Sequence, residues 1–351
     1  MLVKDIQSEG AVSGIFLITD SQWRVAKNGN PYATLRLGDK SGEIAMKVWE
    51  IAKEVFDELK KGRVIKVDAT AKAFNGLLQL EASGSGKGFF RICQADEYDP
   101  GLFLRSTTEE PEKLWAVLDQ TVSEISLPCY HQLLQHFFSN PEFREEFGRT
   151  PGALRHHHAY LGGLLEHTVG VVNICQTVAK YYPRVNKDLL MTGALLHDLG
   201  KVETYQVGAG FDSTDPGKLL GHLILGIQLV SEAIVSLRAT SGEAFFSADL
   251  EWPLLHLLAS HHGIKDWGSP VEPTSLEGCI LHHADYMDSE ISKFLEVLRK
   301  HPADGGNWTV YDRNLQKSVY LPSFASLINE DFSIEPVQEE EGEPDGLEGS
   351  Y

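Results

Sequence analysis

Two rhythms of apolar residues divide this chain. Through the first 95 residues, apolar and polar positions alternate. "GIFLITDSQWRVA", "PYATLRLGDKSGEIAMKVW" and "GRVIKVDATAKAFNGLLQLEA" each put every second side chain on one face. Asn28-Gly29, Asp39-Lys40-Ser41-Gly42 and Asn75-Gly76 stand where the chain must turn. A period of two is that of half-buried strands, and Asn-Gly suits a tight hairpin. One stretch of helical spacing, "EIAKEVFDELKKG", interrupts the later strands. Several short strands closed around one inserted helix predict a five-stranded OB-type β-barrel over residues 1–95.

Residues 96–110 fall in "QADEYDPGLFLRSTTEEPEK", whose charge, Pro and Gly predict a linker. From 111 to 300 the period lengthens to 3.6, through "KLWAVLDQTVSEI", "CYHQLLQHFF", "GLLEHTVGVVNICQTVAKYY", "KDLLMTGALLHDLG", "KLLGHLILGIQLVSEAIVSL", "DLEWPLLHLLASHH" and "SLEGCILHHADYMDSEISKFLEVLRK". Tyr182-Pro183, Gly200 and Gly263 mark helix ends. The pattern predicts an all-α domain, then a short non-helical extension over 301–334 and an acidic, disordered tail over 335–351.

The chain has 351 residues, 42% hydrophobic and 23% charged, as in globular proteins. No apolar run reaches the roughly twenty residues that a membrane span needs, and "MLVKDIQSEG" lacks the pattern of a signal peptide. Four scattered cysteines without a C-x-x-C pair point to a reducing cytoplasm. A net charge of −19 argues against a nucleic-acid partner, but it is unevenly spread. Residues 1–95 hold 14 Lys+Arg against 11 Asp+Glu, a balance of +3, which leaves −22 for the rest. An OB-type barrel with this balance suits a single strand of RNA or DNA, stacked on exposed aromatics. Trp23, Tyr32, Trp49 and Phe74 are the stacking candidates, with Arg24, Lys27, Lys47 and Lys72 beside them. The same aromatics could instead fill the barrel core, and the same cations could be plain surface.

Of fourteen histidines, those in the helical half are grouped. His167 lies on one helix, His197-Asp198 end the next, His222 opens another, His261-His262 close a fourth, and Asp285 lies on a fifth. Neutral imidazole with carboxylate suits Mn²⁺, Fe²⁺, Co²⁺, Ni²⁺ or Zn²⁺. Seven candidate ligands exceed the needs of one tetrahedral ion. Two ions about 3.5–4 Å apart, sharing a hydroxide, would use most of them. Lys201, just past the doublet, could meet a phosphate oxygen as a point charge or simply answer the dipole at a helix C-terminus. The run His156-His157-His158, ahead of the first candidate-ligand helix, could face a phosphate, through His157 and His158, or could be a plain solvated turn.

The helical half resembles the HD-domain metal-dependent phosphohydrolases, with His167, His197, Asp198 and Asp285 at that superfamily's first histidine, doublet and late aspartate. A closer resemblance spans almost the whole chain. "RVAKNGNPYATLRLGDKSGEIAMKVWE", "HHHAYLGGLLEHT", "LLHDLGKVETY", "GKLLGHLILG", "SHHGIKDWGSPVEP" and "LHHADYMD" are similar to the YhaM-type 3′→5′ exoribonucleases. That resemblance implies an N-terminal OB-type barrel followed by an all-α HD bundle. It also implies a divalent cation, typically Mn²⁺, and stepwise hydrolysis of single-stranded RNA to 5′-mononucleotides. Leu276 and Gly278 stand where the family pattern has Glu-Ala, with Glu277 between them, and the acidic tail has no counterpart.

Two other readings stay open at this level. An HD-type phosphohydrolase of nucleotides or cyclic dinucleotides would share the histidine order. The cyclic-dinucleotide group carries Gly-Tyr-Pro where this chain has Gly268-Ser269-Pro270, however. A non-catalytic single-strand-binding protein of replication would share the barrel. Nothing in the pattern decides between one chain and a homo-oligomer.

Overall fold

A computed structural model describes residues 1–83, 88–154, 158–299 and 306–321. Strands β1 (Gly10–Val25), β2 (Pro31–Asp39), β3 (Gly42–Trp49), β4 (Val64–Phe74), β5 (Leu77–Ser83) and β6 (Phe90–Ile92) form one sheet. Its order is β1-β2-β3-β5-β4-β6, and β1 also pairs with β4, which closes the first five strands into an OB-type barrel. The β3–β5 pairing is parallel and the others are antiparallel. The alternation builds the interior: Val12, Phe16 and Ile18 of β1 and Ala33, Leu35 and Leu37 of β2 are all buried. Asn75 and Gly76, both at positive φ, join β4 to β5 in a two-residue hairpin.

The inserted helix is shorter than its spacing predicts. Only α1 (Lys53–Phe56) forms, because Ile51 and Leu59 on either side of it are buried in the barrel core. Residues 96–110 are likewise more than a tether. Lys40 N donates to Leu102 O on the barrel side (2.7 Å), and Leu161 N donates to Arg105 O on the helical side (2.9 Å).

The helical half comprises α2 (Pro111–Ser123), α3 (Pro128–Phe138), α4 (Pro141–Arg149), α5 (Gly163–Tyr181), α6 (Lys187–Leu196), α7 (Lys201–Thr204), α8 (Asp215–Ser241), α9 (Ala248–Ser260) and α10 (Leu276–Arg299). Proline at the first position starts α2, α3 and α4, where its missing N–H costs nothing. Apolar stripes such as Leu164, Val171 and Cys175 of α5, and Leu190, Ala194 and Leu195 of α6, meet in one core. One hairpin departs from the all-α expectation: β7 (Tyr205–Val207) pairs with β8 (Phe211–Ser213) around a turn closed by Gly208 N donating to Gly210 O.

The expectation about membrane-length segments also needs correcting. α8 has 27 residues and a mean hydropathy of 1.7 over its best window, so by length and composition it could cross a membrane. Polar residues interrupt its apolar run, which is why no unbroken stretch shows in the sequence. Gly221, at φ 76°, bends it, and its apolar side packs into the helical core.

Residues 306–321 form a small hairpin with antiparallel bridges Trp308–Tyr320 and Asp312–Lys317. Leu315 and Val319 pack it against Val297 and Phe294 of α10. The tail expected over 335–351 lies outside the described residues, as do His156 and His157.

Candidate metal centre

Helix ends place three of the candidate ligands. α6 stops at Leu196 and α9 at Ser260, so their last carbonyls lack helical N–H partners. The histidines that follow use them: His197 Nδ1 donates to Ala194 O (2.8 Å) and His261 Nδ1 to Leu258 O (2.9 Å). His262 Nδ1 donates to Trp267 O at 2.9 Å. Each bond fixes the tautomer, so all three Nε2 atoms carry lone pairs that can ligate; those of His197 and His262 lie 3.2 Å and 3.1 Å from the Nε2 atoms of His167 and His222. His167 enters from α5, His222 follows the bend at Gly221, and Asp285 comes from α10.

These side chains converge in two triplets, His167–His197–Asp285 and His222–His261–His262, each with its ligand atoms within 4.8 Å of one another. Asp198 lies between them. Its Oδ2 is 3.3 Å from His167 Nε2 and 3.4 Å from His197 Nε2; its Oδ1 is 3.4 Å from His222 Nε2 and 3.6 Å from His261 Nε2. All seven ligands anticipated from the sequence are therefore brought to one place.

Asp288 is one the sequence reading missed. Its Oδ2 accepts from His167 Nδ1 at 2.6 Å and lies 3.0 Å from His158 Nε2. A carboxylate behind a ligating imidazole orients the ring and raises its basicity. The available signal was its position one turn after Asp285 on the same helix. Glu277 acts at longer range, accepting from Asn186 N (2.8 Å) and so tying the start of α10 to that of α6.

Two glycines permit these approaches. A Cβ at Gly170 of α5 would lie 2.0 Å from Asp288 Oδ1. One at Gly200, just past the doublet, would lie 2.1 Å from His222 O and 2.4 Å from Gly226 N. The "HDLGK" spelling thus reflects the contact between this turn and α8.

Charge in the centre is balanced against burial. Burial alone would raise the Asp198 carboxyl, but the Lys201 ammonium 2.5 Å away and the imidazoles of His197 and His167 hold it well below the ordinary range. Burial disfavours a proton on His167 too, yet Asp198, Asp285 and Asp288 together raise it well above its usual value. Burial lowers His261 to about 4 and His222 well below the ordinary range, so both are neutral ligands near neutral pH.

Among the described residues, Asp198 Oδ1 and His261 Nε2 are buried without a hydrogen-bond partner. Each such orphan costs about 1–3 kcal/mol. Acceptors facing acceptors in a buried site are what a cation satisfies, so the residues fit divalent metal ions. The third set, His158–His167–Asp288, is already satisfied by its own hydrogen bonds.

Lys201, anticipated as a phosphate contact, is buried against Asp198 and lines a cavity of about 720 Å³ beside the centre. His158 departs from expectation. It is only 7% exposed and bonded to Tyr160 and Asp288, so it supports the interior network instead of facing a strand.

On the barrel, Arg24, Tyr32 and Trp49 are cross-strand neighbours on β1, β2 and β3, and the Tyr32 and Trp49 rings are 5.4 Å apart. Lys47 Nζ lies over the rings of both Trp49 (5.2 Å) and Phe74 (4.8 Å), and Phe74 is half exposed. Lys72 is exposed but paired with Glu81 at 2.9 Å, and Lys27 is exposed in the β1–β2 loop. Trp23 takes the other course open to it. It packs on the barrel core with its indole nitrogen buried, and so is not part of this face.

A closed OB barrel joined to a helical half with this His/Asp centre defines an HD-type domain carrying a nucleic-acid-binding module. Residues 164–290 match the HD domain family, and residues 9–84 match the family described as OB-fold nucleic acid binding domain. HD domains bind divalent metals.

Two relatives are each named 3′-5′ exoribonuclease YhaM. That of Oceanobacillus iheyensis is 31% identical over 288 residues, 82% of this chain and 86% of its own length. That of Shouchella clausii is 31% identical over 316 residues, 90% of this chain and 94% of its own. The chain belongs to the YhaM family.

Proposed function

We propose that the chain is a metal-dependent 3′→5′ exoribonuclease, releasing 5′-mononucleotides from single-stranded RNA in a reducing cytoplasm. The observation that carries the reading is Asp198, whose two oxygens address two separate triplets, His167–His197–Asp285 and His222–His261–His262, in a chain that also has an OB barrel. His167, His197 and Asp285 would hold one ion and His222, His261 and His262 a second, with Asp198 serving both. Mn²⁺ is the first candidate. Such ions supply Lewis-acid polarisation of the phosphodiester and activation of a water.

The chain's own residues do the rest. Backbone carbonyls lock His197, His261 and His262 in the ligating tautomer, and Asp288 orients His167. Lys201 uses one of three N–H donors on Asp198, leaving donors for a non-bridging phosphate oxygen. Trp49, Phe74 and Lys47 offer an entering strand stacking and charge.

The reading is tested with 5′-labelled single-stranded RNA, with and without Mn²⁺, beside a circular RNA and a single-stranded DNA of the same sequence. Stepwise shortening of linear RNA with release of 5′-mononucleotides, and an intact circle, is the expected result. Circular RNA cut as fast as linear RNA would overturn it. The DNA arm measures how far the reaction tolerates a missing 2′-hydroxyl.

A further inference from the structure

The cavity beside Asp198 and Asp285 is lined on one wall by two aromatic rings that metal binding does not require. Trp267 and Tyr286 are stacked, with centroids 5.3 Å apart and planes 18° from parallel, and they remain 50% and 43% exposed. Asn314 and Gln316 at the tip of the 306–321 hairpin line the same cavity. That tip is anchored: Leu315 between them is buried against α10, and Asp312 Oδ1 accepts from Asn314 N (2.8 Å) and Leu315 N (2.9 Å). At about 720 Å³, the space is within the usual range for small-molecule sites.

We infer that this cavity seats the nucleobase of the terminal nucleotide, stacked on the Trp267–Tyr286 pair and met at its edge by Asn314 and Gln316. The inference rests on the exoribonuclease reading for the identity of the strand end. A base would add one more layer to an existing ring stack while its phosphate lies toward Lys201 and Asp198. Stacking uses the π-face that every base has, and each carboxamide offers both a donor and an acceptor. The seat therefore accepts any of the four bases but requires the terminal one to be unpaired. It sits in the helical half, separate from the barrel's Trp49–Phe74 face, so grip on the strand and seating of its end are divided between two domains.

The test is equilibrium binding of AMP and of ribose 5-phosphate to the full-length chain at fixed Mn²⁺, with bound manganese measured in every variant. The parent should prefer AMP by about tenfold or more, the contribution of one stacked base. Trp267→Ala should reduce that preference below about twofold, and Trp267→Phe should keep most of it. Because the Trp267 carbonyl holds His262, Tyr286→Ala provides a second stacking variant free of that link. Full AMP preference in both alanine variants would overturn the inference. So would loss of preference in Trp267→Ala accompanied by loss of manganese, with Tyr286→Ala keeping both. A parent that prefers AMP through Trp267 but fails to shorten RNA would support the seat and reject the exoribonuclease reading.

Discussion

Asp198 carries two duties that a single substitution can separate. It faces both triplets of candidate ligands, and it is the counter-charge of the buried Lys201. Asp198→Asn should abolish Mn²⁺-dependent RNA hydrolysis, a loss of at least about a hundredfold, because an ion on either triplet would lose a carboxylate. It should also lower the melting temperature in chelator by several degrees, since an unpaired buried ammonium costs about 3 kcal/mol. Adding Lys201→Met should restore the melting temperature without restoring hydrolysis. Recovery of activity in the double variant would show that Asp198 serves the fold and not the metals. Asp288 acts one step further out. Asp288→Asn removes the carboxylate behind His167 and should weaken Mn²⁺ binding about 10–100-fold, read by metal titration, with little change in the far-UV helical signal.

At the scale of the element, α5 and α10 approach closely because Gly170 leaves room for the Asp288 carboxylate. Gly170→Ala places a methyl 2.0 Å from Asp288 Oδ1, and the flexible carboxylate is the group that yields. Helix propensity favours alanine by about 1 kcal/mol, which offsets much of the crowding. The variant should therefore melt within a few degrees of the parent in chelator, yet bind Mn²⁺ more weakly. A normal metal titration would show that Asp288 is not held by this contact. Most elements were legible beforehand: alternation marked the β1–β5 strands, and the 3.6 spacing with Pro and Gly boundaries marked the helices. α1 fell short because the barrel core claimed Ile51 and Leu59, and the bend in α8 was visible only as Gly221 before His222.

For the molecule as a whole, residues 1–95 carry a basic balance and the remainder an acidic one, so an electrostatic hold on a strand would belong to the barrel. Trp49→Ala combined with Phe74→Ala should lower affinity for single-stranded RNA by about ten- to a hundredfold. Lys47→Gln should reduce the slope of log affinity against log salt by about 0.7, the share of one phosphate contact on a single strand. Both are read by fluorescence anisotropy in chelator, which stops hydrolysis. Cleavage of a dinucleotide, too short to span to the barrel, should be little changed. Unaltered RNA affinity in the aromatic double variant would move the strand path away from this face.

The sequence alone determined the two-part architecture, because its rhythms are local, and it singled out the seven candidate ligands by residue type and order. Period two and period 3.6 belong to single elements, and three of the candidate ligands, His197, His261 and His262, directly follow helix ends and bond to nearby carbonyls. Tertiary packing decided what depends on distance along the chain. Asp288 reaches His167 across 121 residues, and His158 turns inward to the same carboxylate across 130. Trp23 and Trp49 look alike in a strand pattern, yet one packs on the barrel core and the other faces out beside Tyr32. Alternation assigns a side chain to a face but does not say what lies against that face. Only the folded chain brings those partners together and so decides which polar groups are paired and which are left to bind a ligand.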